Sequence, residues 1–276
     1  MTRVNTIARL KVISAGEEIR TTGNSPVKVI TEDYEMYLAK NSKSKNPACD
    51  MINELLANRF LKLWNLITPK MAILDFSQDL LLPEYSKDNH KPAFYTKPLF
   101  GSKWEESAID SSNFFNLKSK YSHKDFSNPM DVFKIGLFDI WVENDDRKPA
   151  NHNLLFVEND ENKFDIVAID HSYIFSTMDY QYLLAEEFCP IANENLLVTD
   201  LAKSLKNIKH QNRKWDAEDK DYFYLCVSEC EKYFDDIIRC IPKEWNFTEE
   251  DAKSVRNLLF NQDRNKKVFK DYLEKI

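Results

Sequence analysis

Apolar residues near the start of this chain alternate over short runs and, from Pro47 onward, fall into a period near 3.6. Val27–Ile30 and Met36–Ala39 read as strands joined by the turn Thr31-Glu32-Asp33, with turn chemistry at Thr21-Thr22-Gly23-Asn24-Ser25 just before them. Met51, Leu55, Phe60 and Leu63 then share one helical face, and Thr68-Pro69 closes that stretch. Met71–Phe76 and Ala93–Leu99 read as further extended runs, the second interrupted by Pro98. Beyond Gly101 the helical period dominates. Met130–Trp141 is a buried helix by its apolar spacing, and two short strands, Asn153–Val157 and Phe164–Ile169, follow across a charged turn. Helices are expected over Tyr180–Phe188, Leu196–Lys209, Ala217–Arg239 and Glu249–Lys275.

A sheet-rich front carrying one helix and a mostly helical back predict an α+β fold of two lobes with a cleft between them. The boundary falls near Leu99–Gly101, giving a β-rich N-terminal lobe over residues 1–99 and a helical C-terminal lobe over residues 100–276. The chain has 276 residues, 43% of them hydrophobic, enough to bury a sizeable core and too apolar for a disordered segment. A net charge of −7 argues against direct nucleic-acid binding through bulk positive charge. The five cysteines are scattered with no CxxC pair, as expected of reduced thiols in the cytoplasm. Neither a signal-peptide core nor a membrane-length apolar run occurs, so a soluble protein without membrane contact is expected. Only four glycines are present, at 16, 23, 101 and 136, which excludes both a GxGxxG fingerprint and a GxxxxGK[ST] loop.

The stretch Leu137–Leu155 carries the chemistry. Phosphoryl transfer requires a carboxylate to orient or deprotonate the attacking hydroxyl, oxygen ligands for Mg2+, and a cation near the transferred group. Asp146, Lys148 and Asn151 supply these on one short loop between a buried helix and a strand, and Asp170 ends the next strand as a second metal ligand. A lone acidic loop is usually just solvated. Here Asp146, Lys148, Pro149 and Asn151 match Asp-x-Lys-Pro-x-Asn together, with Ile169-Asp170-His171 downstream in the expected context.

Asn144-x-Asp146-Arg147-x-x-x-Asn151-x-Asn153-Leu154-Leu155 and Ile169-Asp170-His171 resemble the HipA-like kinases, the kinase-superfamily branch named for a bacterial persistence toxin. The loop is also similar to the catalytic loop of protein kinases, with His171-Ser172 after Asp170 where those enzymes have Phe-Gly. The resemblance implies a protein-kinase-like fold and an ATP- and Mg2+-dependent transfer to a serine or threonine hydroxyl. Asp146 would be the catalytic base, Lys148 the contact to the transferred phosphate, and Asn151 and Asp170 the metal ligands. It further implies a nucleotide-binding lysine braced by a helical glutamate, for which Lys40 and Glu54 fit in order and spacing; Lys28 is the weaker rival. Gly23, Asn24 and Ser25 would cradle phosphate, and Ala93–Leu99, with Lys97, sits where an interlobe hinge would meet adenine. His152 and His171 read as supporting or packing residues, since oxygen suits Mg2+ better than imidazole.

Partners follow from the same resemblance: a protein substrate, and an antitoxin or other regulatory protein. The chain is too short for everything in the persistence toxin, so that protein's antitoxin- and DNA-binding arrangement is not carried over. Two rivals stand beside this reading. One is a small-molecule kinase of aminoglycoside-phosphotransferase type; the other is an inert nucleotide-binding partner in a toxin–antitoxin or phage-defence system.

Overall fold

The computed structural model describes residues 6–20, 25–111, 113–114, 123–184, 188–211 and 215–276, and Gly23 and Asn24 lie outside them. The chain forms two compact units. The first comprises residues up to Arg59, Pro69–Glu106 and Asp235–Thr248; the second comprises Phe60–Thr68, Ser107–Phe234 and Glu249–Ile276.

In the first unit, β1 (Ala8–Glu18), β2 (Val27–Thr31), β3 (Met36–Lys40), β4 (Met71–Asp75) and β5 (Leu99–Lys103) close into a barrel in the order β1-β2-β3-β5-β4. All neighbours are antiparallel except β1 and β4. β1 carries no strand signature in the sequence, and the reason is physical: Val12 is its one buried residue, so no apolar alternation marks it. Its pairing with β2 and β4 makes it a strand. Alternate residues of the other strands point inward, where Val27, Val29, Tyr37, Ala39, Ala72, Leu74 and Leu99 form the core.

Helix α1 (Cys49–Leu63) follows β3, and its buried face carries Met51, Ile52, Leu55 and Leu56 within this unit. The segment 235–248 belongs here because fully buried Trp245 donates its indole N–H to Pro98 O (2.8 Å), while its own carbonyl accepts from Ala48 N (3.0 Å). The run Ala93–Leu99 is not extended as expected. Pro92 starts a short 3-10 turn over Pro92–Tyr95, its fixed φ suiting the first helical position, and Tyr95 is drawn onto Phe76 with ring centroids 4.6 Å apart.

A polar network lies beside this core. His90 Nε2 meets Glu18 Oε1 at 3.1 Å, Ser86 N donates to Glu18 Oε2 at 3.0 Å, and His90 Nδ1 pairs with the Tyr95 hydroxyl. Burial holds the His90 imidazole below its ordinary 6.5, against the opposing pull of Glu18. For Glu18, burial works upward, but the Ser86 amide and His90 outweigh it, and its carboxyl sits below its ordinary 4.5. Both groups therefore bind protons more readily in the unfolded chain, so stability is lost on acidification, through His90 first. The urea midpoint is expected to hold above pH 7 and to fall as pH drops from about 6.5 to about 5.5, across the ordinary histidine range. His90→Gln should flatten that fall; a parallel decline in the variant would assign it elsewhere.

In the second unit, β6 (Ile109–Asp110), β7 (Leu154–Glu158) and β8 (Phe164–Ala168) form an antiparallel sheet in that order. Helix α2 (Asp131–Val142) is buried nearly all round, as its apolar sequence requires. Helices α3 (Asp200–Gln211), α4 (Trp215–Ile238), α5 (Glu249–Leu259) and α6 (Gln262–Lys275) follow, α4 passing into the first unit after Phe234. Trp64, Phe138, Trp141 and Phe223 pack as edge-to-face and tilted rings around α2.

Two helical expectations fail. Among the described residues, the stretch expected as a helix from Tyr180 holds only a 3-10 turn over Tyr180–Tyr182, and residues 185–187 lie outside them. The expected single helix Glu249–Lys275 is two: Asn261 breaks it, its side chain accepting from Arg264 N at 2.9 Å as the N-cap of α6. Among the described residues, no helix is long and apolar enough to cross a membrane.

Candidate active site

The site begins with a carboxylate inside an apolar helix. Asp139 lies on α2 among Phe138, Ile140 and Trp141, only 1% exposed, and a charge there must be paired. The loop after the helix supplies the partners. Arg147 Nε donates to Asp139 Oδ2 at 2.8 Å, and Asn144 Nδ2 donates to Oδ1 at 3.0 Å. Burial pushes the Asp139 carboxyl up to about 6, with Arg147 and Asn144 holding it down.

Arg147 is itself 1% exposed and spends its remaining donors on backbone and one imidazole. Nη1 reaches His152 O (2.8 Å) and Asn153 O, and Nη2 reaches Ile169 O (3.3 Å) and His171 Nε2 (2.7 Å). A guanidinium only donates, so His171 must present a lone pair at Nε2 and carry its proton on Nδ1. One side chain thus clamps α2, the loop 144–153 and the residues on both sides of Asp170.

Asp146 stands on the clamped loop, half-buried. Its Oδ2 accepts from Asn151 Nδ2 (3.1 Å) and Asn153 Nδ2 (3.0 Å), and its amide donates to Asn144 Oδ1 (3.3 Å). Between Asp146 and Asn151 the backbone closes a tight turn, with Lys148 N to Asn151 O at 3.0 Å and Asn151 N to Lys148 O at 2.9 Å. That turn leaves the Lys148 side chain exposed at its tip. Asp170 adopts a left-handed backbone (φ 56°) and accepts from Ser172 Oγ at 3.1 Å. Ile169 N donates to Asn153 O at 3.1 Å, so Asn153 bonds through its side chain to Asp146 and through its carbonyl to the residue before Asp170. Burial, then the Arg147 charge, keep the His152 imidazole below its usual range, as suits a neutral packing residue.

The donor set fits a hard divalent cation. With the Asn151 amide nitrogen committed to Asp146, its carbonyl oxygen and the Asp170 carboxylate are the oxygen donors that Mg2+ prefers. Among the described residues, no group of three or more His, Cys, Asp or Glu side chains is arranged to hold a metal.

The remaining expected residues belong to the first unit. Lys40, at the end of β3, forms an ion pair with Glu54 of α1, with side chains 13% and 6% exposed. The rival Lys28 instead pairs with exposed Glu17 and lies 4.2 Å above the Trp104 ring. Ser25 is buried with φ 45° and accepts from Asn89 Nδ2 at 3.0 Å. Lys97 donates to Lys45 O (3.3 Å) and Asn46 Oδ1 (3.2 Å), a loop-bracing role the sequence did not show. The supporting contacts of Asp139, Arg147 and Asn153 were likewise not visible in the sequence. A carboxylate in the middle of an otherwise apolar helix was the signal available for Asp139.

A family model described as HipA-like kinase matches residues 17–272. The fold is similar to the crystal structure of a Helicobacter pylori proinflammatory kinase, CtkA, with a TM-score of 0.58, 13% identity and 98% of each chain covered. No curated protein matches the sequence.

Proposed function

The chain belongs to the HipA-like kinase family, a kinase-type phosphotransferase by that membership, and on this footing we propose that it moves the γ-phosphoryl group of ATP to a serine or threonine hydroxyl of a protein. The observation that carries the reading is the state of Asp146. Two asparagine amides hold its Oδ2, on a loop pinned by a buried arginine, which leaves Oδ1 to receive a proton.

In the proposed reaction the acceptor oxygen bonds to the γ-phosphorus as the bond from that phosphorus to the β,γ-bridging oxygen breaks. The hydroxyl proton passes to Asp146, and a phosphomonoester and ADP result. Mg2+, held by Asn151 and Asp170, would neutralise charge on the phosphates. Lys148 would meet the transferred group from the tip of its turn. In the first unit, Lys40 would bind the α- and β-phosphates while Glu54 keeps its ammonium oriented, and Ser25 would face phosphate. The β-rich unit is accordingly read as the nucleotide-binding lobe of a protein-kinase-like fold and the helical unit as the catalytic lobe.

The test is ADP release and intact mass after incubation with Mg-ATP, alone and with candidate proteins. Phosphate added to protein hydroxyls supports the reading. Transfer confined to small hydroxyl compounds would replace the acceptor class, and no turnover with retained ATP binding would replace the activity. Lys40→Met is expected to raise the KM for ATP about tenfold or more, the loss of one charge-assisted hydrogen bond. An unchanged KM would remove Lys40 from the site.

A further inference from the structure

Helix α2 ends in a way its sequence does not favour. Asn144 N returns to Asp139 O at 2.9 Å and Glu143 takes a left-handed backbone (φ 54°, ψ 54°), the position at which helices usually place glycine. A glutamate there is strained, and it is only 1% exposed. Its carboxylate is met by Arg264 of α6, 121 residues away, whose Nη2 donates to Glu143 Oε1 and to Trp141 O, both at 2.8 Å. Cys189 N also approaches Oε1, at 3.4 Å, and Ser176 N donates to the Glu143 carbonyl at 2.9 Å. The segment that reaches Ser176 is strained too, with Phe175, Ser176 and Thr177 all at positive φ.

The pair is poorly built for stability. Among the described residues, Glu143 Oε2 and Arg264 Nε and Nη1 are buried without a hydrogen-bond partner, and a buried ion pair with unmet donors contributes little against its desolvation. Its geometry serves something else: it joins α6, the last turn of α2, the start of the Asp146 loop and the segment after Asp170. We propose that Arg264 is a positioning residue for phosphoryl transfer, acting through Glu143 to hold the Asp146 loop and the 175–177 segment in register, a role that rests on the kinase reading above.

The discriminating variant is Glu143→Gly/Arg264→Met, which removes both charges, relieves the left-handed glutamate and fills the arginine's space. It should melt close to wild type or higher. ADP release from Mg-ATP at saturation should nevertheless fall about tenfold or more, while the KM for ATP changes by less than about threefold, since a positioning loss acts on turnover and not on ground-state binding. Amide exchange at Ser176 and Asp146 should quicken. Arg264→Lys, which keeps the charge but loses the two-acceptor reach of Nη2, should fall in the same direction by a smaller factor. Turnover close to wild type in the folded double variant would overturn the proposal. So would a failure of both variants to fold, which would make the pair a stabilising element alone. A wild-type chain that releases no ADP would instead refute the phosphotransfer reading, leaving the exchange measurement to judge the Arg264 link.

Discussion

Asp146→Asn is expected to lower phosphoryl transfer by about a thousandfold while leaving the fold and ATP binding intact, because proton transfer to a positioned base contributes ~100- to 10,000-fold. The substitution is chosen for its shape. The introduced amide would still offer one oxygen to the Asn151 and Asn153 side chains that now donate to Oδ2. What it loses is the second oxygen as a proton acceptor. The melting temperature should therefore stay close to wild type, and direct titration with Mg-ATP should give a dissociation constant within a fewfold. Single-turnover transfer of labelled phosphate is the measurement that checks it. Transfer at the wild-type rate would show that Asp146 is not the base.

Arg147→Met should have the largest effect on stability. The side chain bridges five acceptors, of which Asp139 Oδ2 is the one charged group, and Asp139 is nearly inaccessible to solvent. Removing one member of a buried ion pair costs about 3–5 kcal/mol, since the other charge is left without compensation. The pH dependence identifies the cause. Burial already raises Asp139 to about 6, and Arg147 is the chief group holding it down, so in the variant its folded pKa moves higher still. A carboxyl whose folded pKa is raised favours the folded state at low pH and loses that advantage as pH rises. The stability gap between Arg147→Met and wild type should accordingly narrow as pH falls from about 7.5 to about 5.5, as read by urea denaturation. Asp139→Leu/Arg147→Met should recover much of the loss without recovering activity, because the bonds from Arg147 to the backbone carbonyls of His152, Asn153 and Ile169 are still missing. A gap that widens on acidification would mean that the damage lies elsewhere than Asp139.

The grouping of Asp146 with Asn151 was legible in the chain because it is local. Asp146, Lys148 and Asn151 fall within six consecutive residues, and the strands that set Asp170 beyond them are adjacent in sequence. Spacing on a short loop constrains geometry strongly, so residue types at fixed intervals stand in for positions in space. The pairing of Lys40 with Glu54 was legible for the same reason, a strand end and the next helix being separated by one short connection.

The sequence by itself determined the succession β2, β3, α1 and β4, the buried character of α2, and the loop that carries the acidic and amide side chains. Only tertiary structure decided what holds that loop. Asp139 shows an unusual charge in an apolar run, but nothing in its neighbours reveals that Arg147 will also reach Ile169 and His171. Still less does a lysine- and asparagine-rich C-terminal segment announce that Arg264 will meet Glu143. The same holds for β1, which has almost no buried face and exists through its hydrogen bonds to β2 and β4. The physical reason is common to all three. Periodicity reports how a residue's own element meets solvent, whereas a buried charge or an exposed strand is settled by a partner contributed from a distant part of the chain.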